Sequence, residues 1–473
     1  MMGRAANLAG LFASARLWVS QVSNGRHKRL FGEKTLRKEV LKLALPATGE
    51  QLLSMMVSIV DTMLVGHLGA SALAAVSLAT QWTFMAVTLF AAVSTGATAL
   101  VARSVGAGDW DTANRTVRQS VLVGLVIGLA ATALVQVFAE PAVALMGAEP
   151  EALAEGVTYL RIASSIFALS ALMFVGNACL RGAGDTRTTM MVMAVVNVLN
   201  IAVAWTAING PFGLPKLGVA GSALGAAVGR AAGGLLVIGI LLKGRSGLKL
   251  DWRGWRLDPE LVRRVLRVGL PTGVERLVMR LGMMVFMRVI ADLGTVALAA
   301  HAVALRAESL SFMPGFGFAV AGTTMVGQEL GARDPRRAER SGYLTYQLAA
   351  SLMAVMGVVF VLFPRPLIGL FTNDPSVVEM AVIPLRIVGF VQPLMAAAMV
   401  FPGSLRGAGD TRFPMYVTGL SIWSIRVPAA LLLGLSLGMG LTGAWLGMAV
   451  DLAVRGVVFF LRFRGGRWKL MKV

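Results

Sequence analysis

The chain has 473 residues, of which 56% are hydrophobic and only 14% are charged, and its mean hydropathy is +0.73. A soluble domain is usually about a quarter charged, so this composition argues against a water-soluble protein. It also argues against a nucleic-acid-binding protein despite the net charge of +20, because a chain this apolar and this basic must confine its charges to the loops of a membrane protein.

Crossing the hydrocarbon layer as a helix takes roughly 20 apolar residues. Several uncharged runs meet that length, among them the 28 residues between Arg187 and Lys216. Twelve spans are predicted, near 44–66, 72–96, 119–139, 155–178, 188–209, 217–242, 268–291, 296–322, 341–363, 378–403, 413–434 and 440–462. Glycines between 434 and 443 predict the turn between the last two spans.

Lysine and arginine concentrate in alternate loops. If the twelve spans alternate in direction, 33 of the 44 basic residues fall on one side, including the amino-terminal segment and the carboxyl tail. Cytoplasmic loops of membrane proteins carry this excess, so both termini are predicted to be cytoplasmic and the protein to lie in the plasma (inner) membrane. The positive charge is therefore interpreted as a topology signal.

The two halves of the sequence repeat each other. Leu180–Arg187 recurs without change as Leu405–Arg412, an offset of 225 residues that also relates Glu50 to Glu275. Six spans in each half give both copies the same orientation, which predicts an all-α membrane protein with two pseudo-symmetric lobes of six helices, built as parallel repeats. The predicted segments are a basic cytoplasmic amino-terminal segment, an N-lobe, an amphipathic cytoplasmic linker, a C-lobe and a basic cytoplasmic tail, at 1–43, 44–242, 243–267, 268–462 and 463–473.

Several motifs resemble one family of transporters. They are the pattern from Pro46 through Val60-Asp61-Thr62 to Gly69, the segments Glu308–Phe318 and Val326–Pro335, and the twin loops Leu180–Arg187 and Leu405–Arg412. Together they resemble the multidrug and toxic compound extrusion (MATE) family, in its prokaryotic DinF-like branch, over residues 40–465. The resemblance implies a transporter that exports organic, cationic or amphipathic compounds in exchange for H⁺ or Na⁺.

Asp61 is the first candidate for binding the coupling ion, because an ionisable residue inside a span is costly and points to function. The resemblance also implies a role in cation coupling for an aspartate at this position. Asn177, Asn197 and Asn200 bring amide oxygens to spans four and five, and hard cations such as Na⁺ prefer oxygen ligands. Some relatives carry an acid where this chain has Ala204, so Asp61 is expected to act with neutral partners. A structural carboxylate is the alternative.

Other polar residues within the spans are candidates for the transport cavity or a charge network. Glu50 and Glu275 follow Pro46 and Pro271 by four residues, and they are expected to face the cleft or to pair with Arg276 or Arg280. The charges of the second half suggest an internal ion-pair network, as likely to be structural as to contact substrate. The full set of candidates is Glu50, Gln81, Glu275, Arg280, Arg288, His301, Arg306, Glu308 and Arg426.

Two local features are interpreted structurally as well as functionally. Pro314 should bend or break span eight, as a hinge or as a static kink. The twin loops, with Arg and Asp around glycines, predict tight turns in which the carboxylate caps the next helix.

No set of residues suggests an enzyme, and a single cysteine, Cys179, excludes a disulfide framework and a multi-cysteine metal site. No cofactor is expected beyond the coupling ion, and no metal beyond a possible Na⁺ at Asp61. The expected partners are the lipid bilayer and small organic substrates, with no nucleic acid, and the chain is expected to be monomeric. The alternative function is a flippase for anionic lipid-linked precursors, which the arginines 280, 288, 306 and 426 would favour.

Overall fold

The computed structural model describes residues 34–147, 149–211, 215–251 and 256–471, together with the helical backbone that leads into residue 34 from Gly3. Most of the predicted amino-terminal segment and residues 252–255 of the predicted linker therefore lie outside the fully described residues. The helices are α1 (Gly3–Gly66), α2 (Ala70–Gly106), α3 (Trp110–Ala144), α4 (Pro150–Ser165), α5 (Phe167–Gly182), α6 (Thr186–Asn209), α7 (Val219–Lys243), α8 (Pro259–Ala291), α9 (Thr295–Gly331), α10 (Pro335–Leu362), α11 (Pro364–Gly369), α12 (Pro375–Gly407), α13 (Arg412–Ser436) and α14 (Gly440–Arg464).

The membrane spans agree with the predicted all-α fold. Within the described residues, ten helices are long and apolar enough to cross a membrane, and α4 with α5 forms an eleventh, bent span. The predicted seventh span corresponds to α8. This helix is not among the ten, although it is long enough to cross a membrane, because Glu275, Arg276 and Arg280 lie in its middle and make it more charged than the others.

Three details of the spans differ from the predictions. The fourth span bends by 53° at Ile166, between α4 and α5, where a continuous helix was predicted. The eighth span is not broken at Pro314, because α9 continues through it to Gly331. In α13 the backbone is π-helical over Ile422–Arg426 and Ala430–Ser436, and the predicted turn before α14 is confirmed.

The helices form two lobes, α1–α7 and α8–α14. The contacts between the lobes come in pairs that the internal repeat relates to each other. α2 and α9 end at Gly106 and Gly331, which are related by the repeat offset of 225. A Cβ atom on Gly106 would lie 1.8 Å from the carbonyl oxygen of Gln328, and one on Gly331 would lie 2.1 Å from that of Arg103. Arg103 and Gln328 are repeat partners too. In each lobe, a glycine at the same repeat position therefore allows the end of one helix to pack directly against the backbone of the other lobe.

The linker between α7 and α8 is anchored to the first lobe. Residues 244–251 form turns and extended backbone instead of a helix, and Leu248 and Leu250 are buried. Asp258 begins α8 by accepting a hydrogen bond from the backbone N–H of Leu261 (3.1 Å), and its other oxygen lies 2.6 Å from Arg115 of α3. These two donors hold the pKa of Asp258 below its ordinary value of 3.8, the Leu261 amide having the larger effect.

Replacing Asp258 with alanine is expected to destabilise the first turn of α8 by about 0.5–2 kcal/mol, the usual effect of losing a helix cap. The measurement is hydrogen exchange of the amides from Glu260 to Leu261. Because the folded-state pKa is depressed, the stabilisation is present above pH 3.8 and is lost as the pH falls through the lower, folded-state value. Asp111→Ala is the control, because Asp111 is exposed and also approaches Arg115, at 4.0 Å, but does not cap α8. Equal exchange in both variants would contradict the assignment.

Candidate functional site

The end of the bundle that carries the loops after α2, α5, α7, α9 and α12 is called the basic end. Two buried ion pairs lie near it, one in each lobe. Arg181 Nη1 lies 2.7 Å from Glu50 Oε1, and Arg406 Nη2 lies 2.7 Å from Glu275 Oε1. The predicted pairing of the glutamates with Arg276 or Arg280 was therefore wrong. The partners are the arginines of the twin loops, and the repeat offset relates one pair to the other.

A hydroxyl group completes each pair. Thr189 of α6 donates to Glu50 Oε2 at 2.7 Å, and Thr418 of α13 donates to Glu275 Oε1 at 3.0 Å. Buried carboxylates need such partners because an unpaired charge in a low-dielectric interior is costly. Each pair thus ties the first helix of its lobe to the fourth span and to the fifth.

The twin loops are tight turns, as predicted. Gly184 and Gly409 have φ values of +89° and +92°, a conformation that strongly favours glycine. The aspartates after them differ in detail. Asp185 caps α6 through the backbone N–H of Thr188 (3.1 Å), whereas Asp410 binds Arg462 of α14 at 2.8 Å. Only the first of the two carboxylates therefore has the predicted capping role.

A cavity of about 390 Å³ lies between the lobes next to the two ion pairs. Its wall comes from both lobes and carries three arginines, Arg181, Arg276 and Arg406, with Glu50 as its one lining acid among the described residues. The rest of its wall is formed by Gln51, Ser54, Val87, Ala91, Ser94, Thr95, Thr98, Met173, Phe174, Asn177, Met193, Met313, Phe316, Ala319, Val320, Thr323 and Gly403. Its volume falls within the range of about 300–1,000 Å³ that is usual for small-molecule sites.

The lobes close over this cavity at the basic end. Across the interface Thr324 donates a hydrogen bond to the carbonyl oxygen of Arg181 at 2.8 Å, and the Gln328 amide donates to that of Gly182 at 2.9 Å. Arg337 of α10 pairs with Glu39 of α1 at 2.7 Å. With the glycine contacts of α2 and α9, these bonds leave little room for passage at this end.

Toward the opposite end α1 is less buried. Every described side chain of α1 from Gln51 to Leu64 is at least partly exposed, whereas Val40, Ala44 and Ala47 nearer the basic end are buried. The lobes still meet in this half, where Arg280 of α8 donates to Gln81 of α2 and lies 5.1 Å from the ring centre of Phe84. Arg280 and Gln81 were both predicted candidates, and the structure brings them together across the lobes.

Asp61 lies in the less buried half of α1, where Asn200 of α6 is its neighbour. The Asn200 amide donates to Asp61 Oδ2 at 3.5 Å, while Asp61 Oδ1 is buried without a hydrogen-bond partner. Arg230 of α7 forms no direct salt bridge with Asp61, but its charge acts on the carboxylate from a distance. An unsatisfied oxygen beside an amide can accept a proton or a cation.

The other two predicted ligands form no hydrogen bond with Asp61. Asn197 donates to the carbonyl oxygen of Met193 in its own helix at 2.8 Å, and Asn177 lines the cavity. Arg230 was missed, although an arginine in the otherwise uncharged run of α7 was a signal for it. Among the described residues, no group of three or more histidine, cysteine, aspartate or glutamate side chains could hold a metal ion.

The second lobe contains a buried charge cluster centred on Asp451 of α14, which is fully buried. Arg426 and Arg455 each approach Asp451 Oδ2 at 2.7 Å, and Ser421 donates to Oδ1. Glu308 is buried on α9, and the charge of Arg426 acts on it. Asp451 and Arg455 were missed, although their spacing of four residues within an apolar span was a sufficient signal.

Two of the remaining candidates, Arg288 and Arg306, lie apart from this cluster, so the second-half charges do not all belong to one network, whereas the charge of Arg426 acts also on His301. Arg288 is largely exposed and pairs with Asp292 at 3.2 Å, and Arg306 is exposed. His301 is fully buried, and its Nδ1 accepts a hydrogen bond from the Trp445 indole at 3.1 Å. The imidazole is thus packed within the second lobe.

Replacing Asp451 with asparagine is expected to destabilise the protein by about 3–5 kcal/mol, because two buried guanidinium groups lose their shared counter-charge. Thermal unfolding in detergent measures the effect. Asp292→Asn is the matched control, since this exposed aspartate also pairs with an arginine four residues away, and a surface pair is worth about 0–1 kcal/mol. Equal melting temperatures for the two variants would contradict a structural role for the cluster.

Known proteins resemble this chain over nearly its whole length. The MatE family model matches it twice, at residues 46–206 and 271–432. A probable multidrug resistance protein NorM of Thermotoga maritima is 35% identical over 439 residues, which cover 92% of this chain and 93% of the relative. The corresponding protein of Rhizobium meliloti is 32% identical over 437 residues, covering 89% and 92%.

A solved structure shares the fold. It is described as the outward-facing conformation of a multidrug resistance MATE family transporter of the MOP superfamily, and it has a TM-score of 0.85 at 24% identity, covering 91% of this chain and 95% of that one. The two matches of the family model begin 225 residues apart, which is the offset of the internal repeat. The chain therefore belongs to the multidrug and toxic compound extrusion (MATE) family of membrane transporters.

Proposed function

We propose that the chain is a secondary active antiporter that exports amphipathic organic compounds in exchange for H⁺ or Na⁺. The observation that carries this proposal is the inter-lobe cavity, closed at the basic end by repeat-related contacts, with α1 more exposed toward the other end. Two lobes joined in this way can rock about the cavity and expose it to each side in turn.

The basic end is proposed to face the cytoplasm, because cytoplasmic loops carry the excess of lysine and arginine. With this orientation we propose that the described state is the one open to the outside, with the contacts of Thr324, Gln328 and the glycines of α2 and α9 as its inner gate. Release of substrate outside would take place from this state. Both termini are then cytoplasmic, and one chain in the lipid bilayer holds the entire cavity and is proposed to act as a monomer.

Asp61 is proposed to carry the coupling ion. Its free Oδ1 and the neighbouring Asn200 offer oxygen atoms to a proton or to Na⁺. When the ion leaves, the charge of Arg230 remains to stabilise the empty carboxylate. The ion and Arg230 would thus alternate as partners of Asp61. Because Asp61 does not line the cavity, coupling would act through the position of α1 and not through direct competition with substrate.

The test is transport by the purified protein in proteoliposomes under separate H⁺ and Na⁺ gradients. An amphipathic fluorescent compound should accumulate against its own gradient when one of the two ions flows the other way, and an ionophore for that ion should abolish accumulation. Accumulation that is indifferent to both gradients would overturn antiport.

A flippase for anionic lipid-linked precursors is the second candidate. The four arginines 280, 288, 306 and 426 that suggested it do not line the cavity, but Arg181, Arg276 and Arg406 do. Reconstitution with a fluorescent lipid-linked pyrophosphate distinguishes the two functions. Transfer of this lipid between leaflets without an ion gradient, in the absence of gradient-driven transport of soluble compounds, would favour the flippase.

A further inference from the structure

The inter-lobe cavity contains one more positive charge than its ion pairs neutralise. Arg181 is paired with Glu50, and Arg406 with Glu275. Arg276, next to Glu275 on α8, forms no direct salt bridge or hydrogen bond with a described residue, and its side chain is exposed to the cavity. The charges of Arg406, Glu275 and Arg181 all act on it, and Glu275 is the one negative charge among the three. A cationic group entering the cavity would therefore meet net repulsion, and an anionic group net attraction.

We propose that this cavity binds the anionic group, a carboxylate or a phosphate, of an amphipathic substrate through Arg276. The proposal rests on the transport function proposed above and specifies its substrate class. A guanidinium group forms charge-assisted hydrogen bonds with carboxylate or phosphate oxygens, two at a time where the geometry allows, so the contact is specific as well as attractive.

Two further donors of the cavity wall have no partner. The Ser94 hydroxyl is buried on α2 without a hydrogen-bond partner, and Ser94 is only 8% exposed. Arg406 Nε is likewise buried and unpartnered, although the same guanidinium binds Glu275 through Nη2. Buried polar atoms are nearly always satisfied in folded proteins, so these free donors are available to a ligand that accepts hydrogen bonds, and Asn177 Oδ1, also unpartnered in this wall, is available to a hydroxyl or amide of the same ligand. Arg276, Arg406 and Ser94 come from both lobes.

The remaining wall suits the apolar part of such a molecule. Met173, Phe174 and Met193 line it from the first lobe, and Met313 and Phe316 from the second. Methionine side chains are flexible and polarisable, so they adapt to apolar groups of different shape. The cavity thus combines one site of fixed charge with a wall that can accept varied substrates.

The test is binding of a fluorescent amphipathic carboxylate and of its methyl ester to the purified transporter in detergent, without any ion gradient. The wild type should bind the carboxylate at least tenfold more tightly than the ester, because a hydrogen bond to a charged group is worth roughly that factor. Arg276→Gln should abolish this preference, and Arg276→Lys should keep part of it. Arg267→Gln, which removes an exposed charge from the same helix outside the cavity, should keep all of it.

Ester binding monitors the fold, since a variant that binds the ester like the wild type has an intact cavity. An amphipathic phosphate monoester and vesicles of phosphatidic acid then distinguish a soluble substrate from a lipid headgroup as the source of the anion. Equal binding of carboxylate and ester by the wild type, or an undiminished preference in Arg276→Gln, would overturn the proposal. If Arg276→Gln loses the preference for carboxylate over ester, but the wild type shows no gradient-driven transport, the anion site is supported and antiport is overturned.

Discussion

Replacing Gly106 and Gly331 together with alanine is expected to open the basic end of the transporter and to slow transport at least about tenfold. Each new Cβ atom would lie within 2.1 Å of a backbone oxygen of the other lobe, far inside van der Waals contact, and backbone cannot rotate away as a side chain can. Overpacking of this kind costs about 1–3 kcal/mol at each site, or about 2–6 kcal/mol for the two together, so the population of the closed basic end would fall by at least about 30-fold.

Labelling of a cysteine at the closed interface measures this change. In a Cys179→Ala background, Thr324→Cys places a thiol where the side chain is now fully buried. Its reaction with a water-soluble maleimide should accelerate in the double glycine variant. Gly239→Ala is the control, because a Cβ at this helical position meets open space. Unchanged labelling with unchanged transport would show that these contacts are not the gate.

The internal repeat predicted the lobes correctly, because similar segments at one offset fold into the same order of helices. The same offset relates Glu50 to Glu275 and Arg181 to Arg406, so both ion pairs were within reach of the sequence. They were missed because the arginines were interpreted within their own loops, as parts of a turn. The distance between Glu50 and Arg181 is set by how α1 packs on α5, and local sequence does not contain that information.

The ion site shows a second limit. Asn197 and Asn200 are three residues apart on α6, so both were predicted to reach Asp61. In the structure Asn200 contacts the aspartate, and Asn197 bonds to its own helix. Which of the two asparagines reaches Asp61 depends on the rotation of α6 about its own axis relative to α1. The pattern of apolar residues does not determine this rotation, because a membrane span is apolar on the sides that face protein and on those that face lipid. The bend at Ile166 is similar, because no proline or glycine marks it.

Asp61→Asn is expected to abolish ion-driven transport. Asparagine keeps the size of the side chain and its hydrogen bonding to Asn200, but it can neither take up a proton nor neutralise Na⁺, so binding of the coupling ion no longer changes the charge beside Arg230. Downhill movement of substrate through the cavity should persist, since Asp61 does not line it.

The most direct test of the central claim is accumulation of an amphipathic fluorescent substrate in proteoliposomes, with wild type and Asp61→Asn compared under imposed H⁺ and Na⁺ gradients. Asp292→Asn, at an exposed position, is the control for removing an acid from a helix end. The account predicts that wild type and control accumulate substrate under one of the two gradients and that Asp61→Asn only equilibrates it. Undiminished coupled accumulation by Asp61→Asn would contradict it.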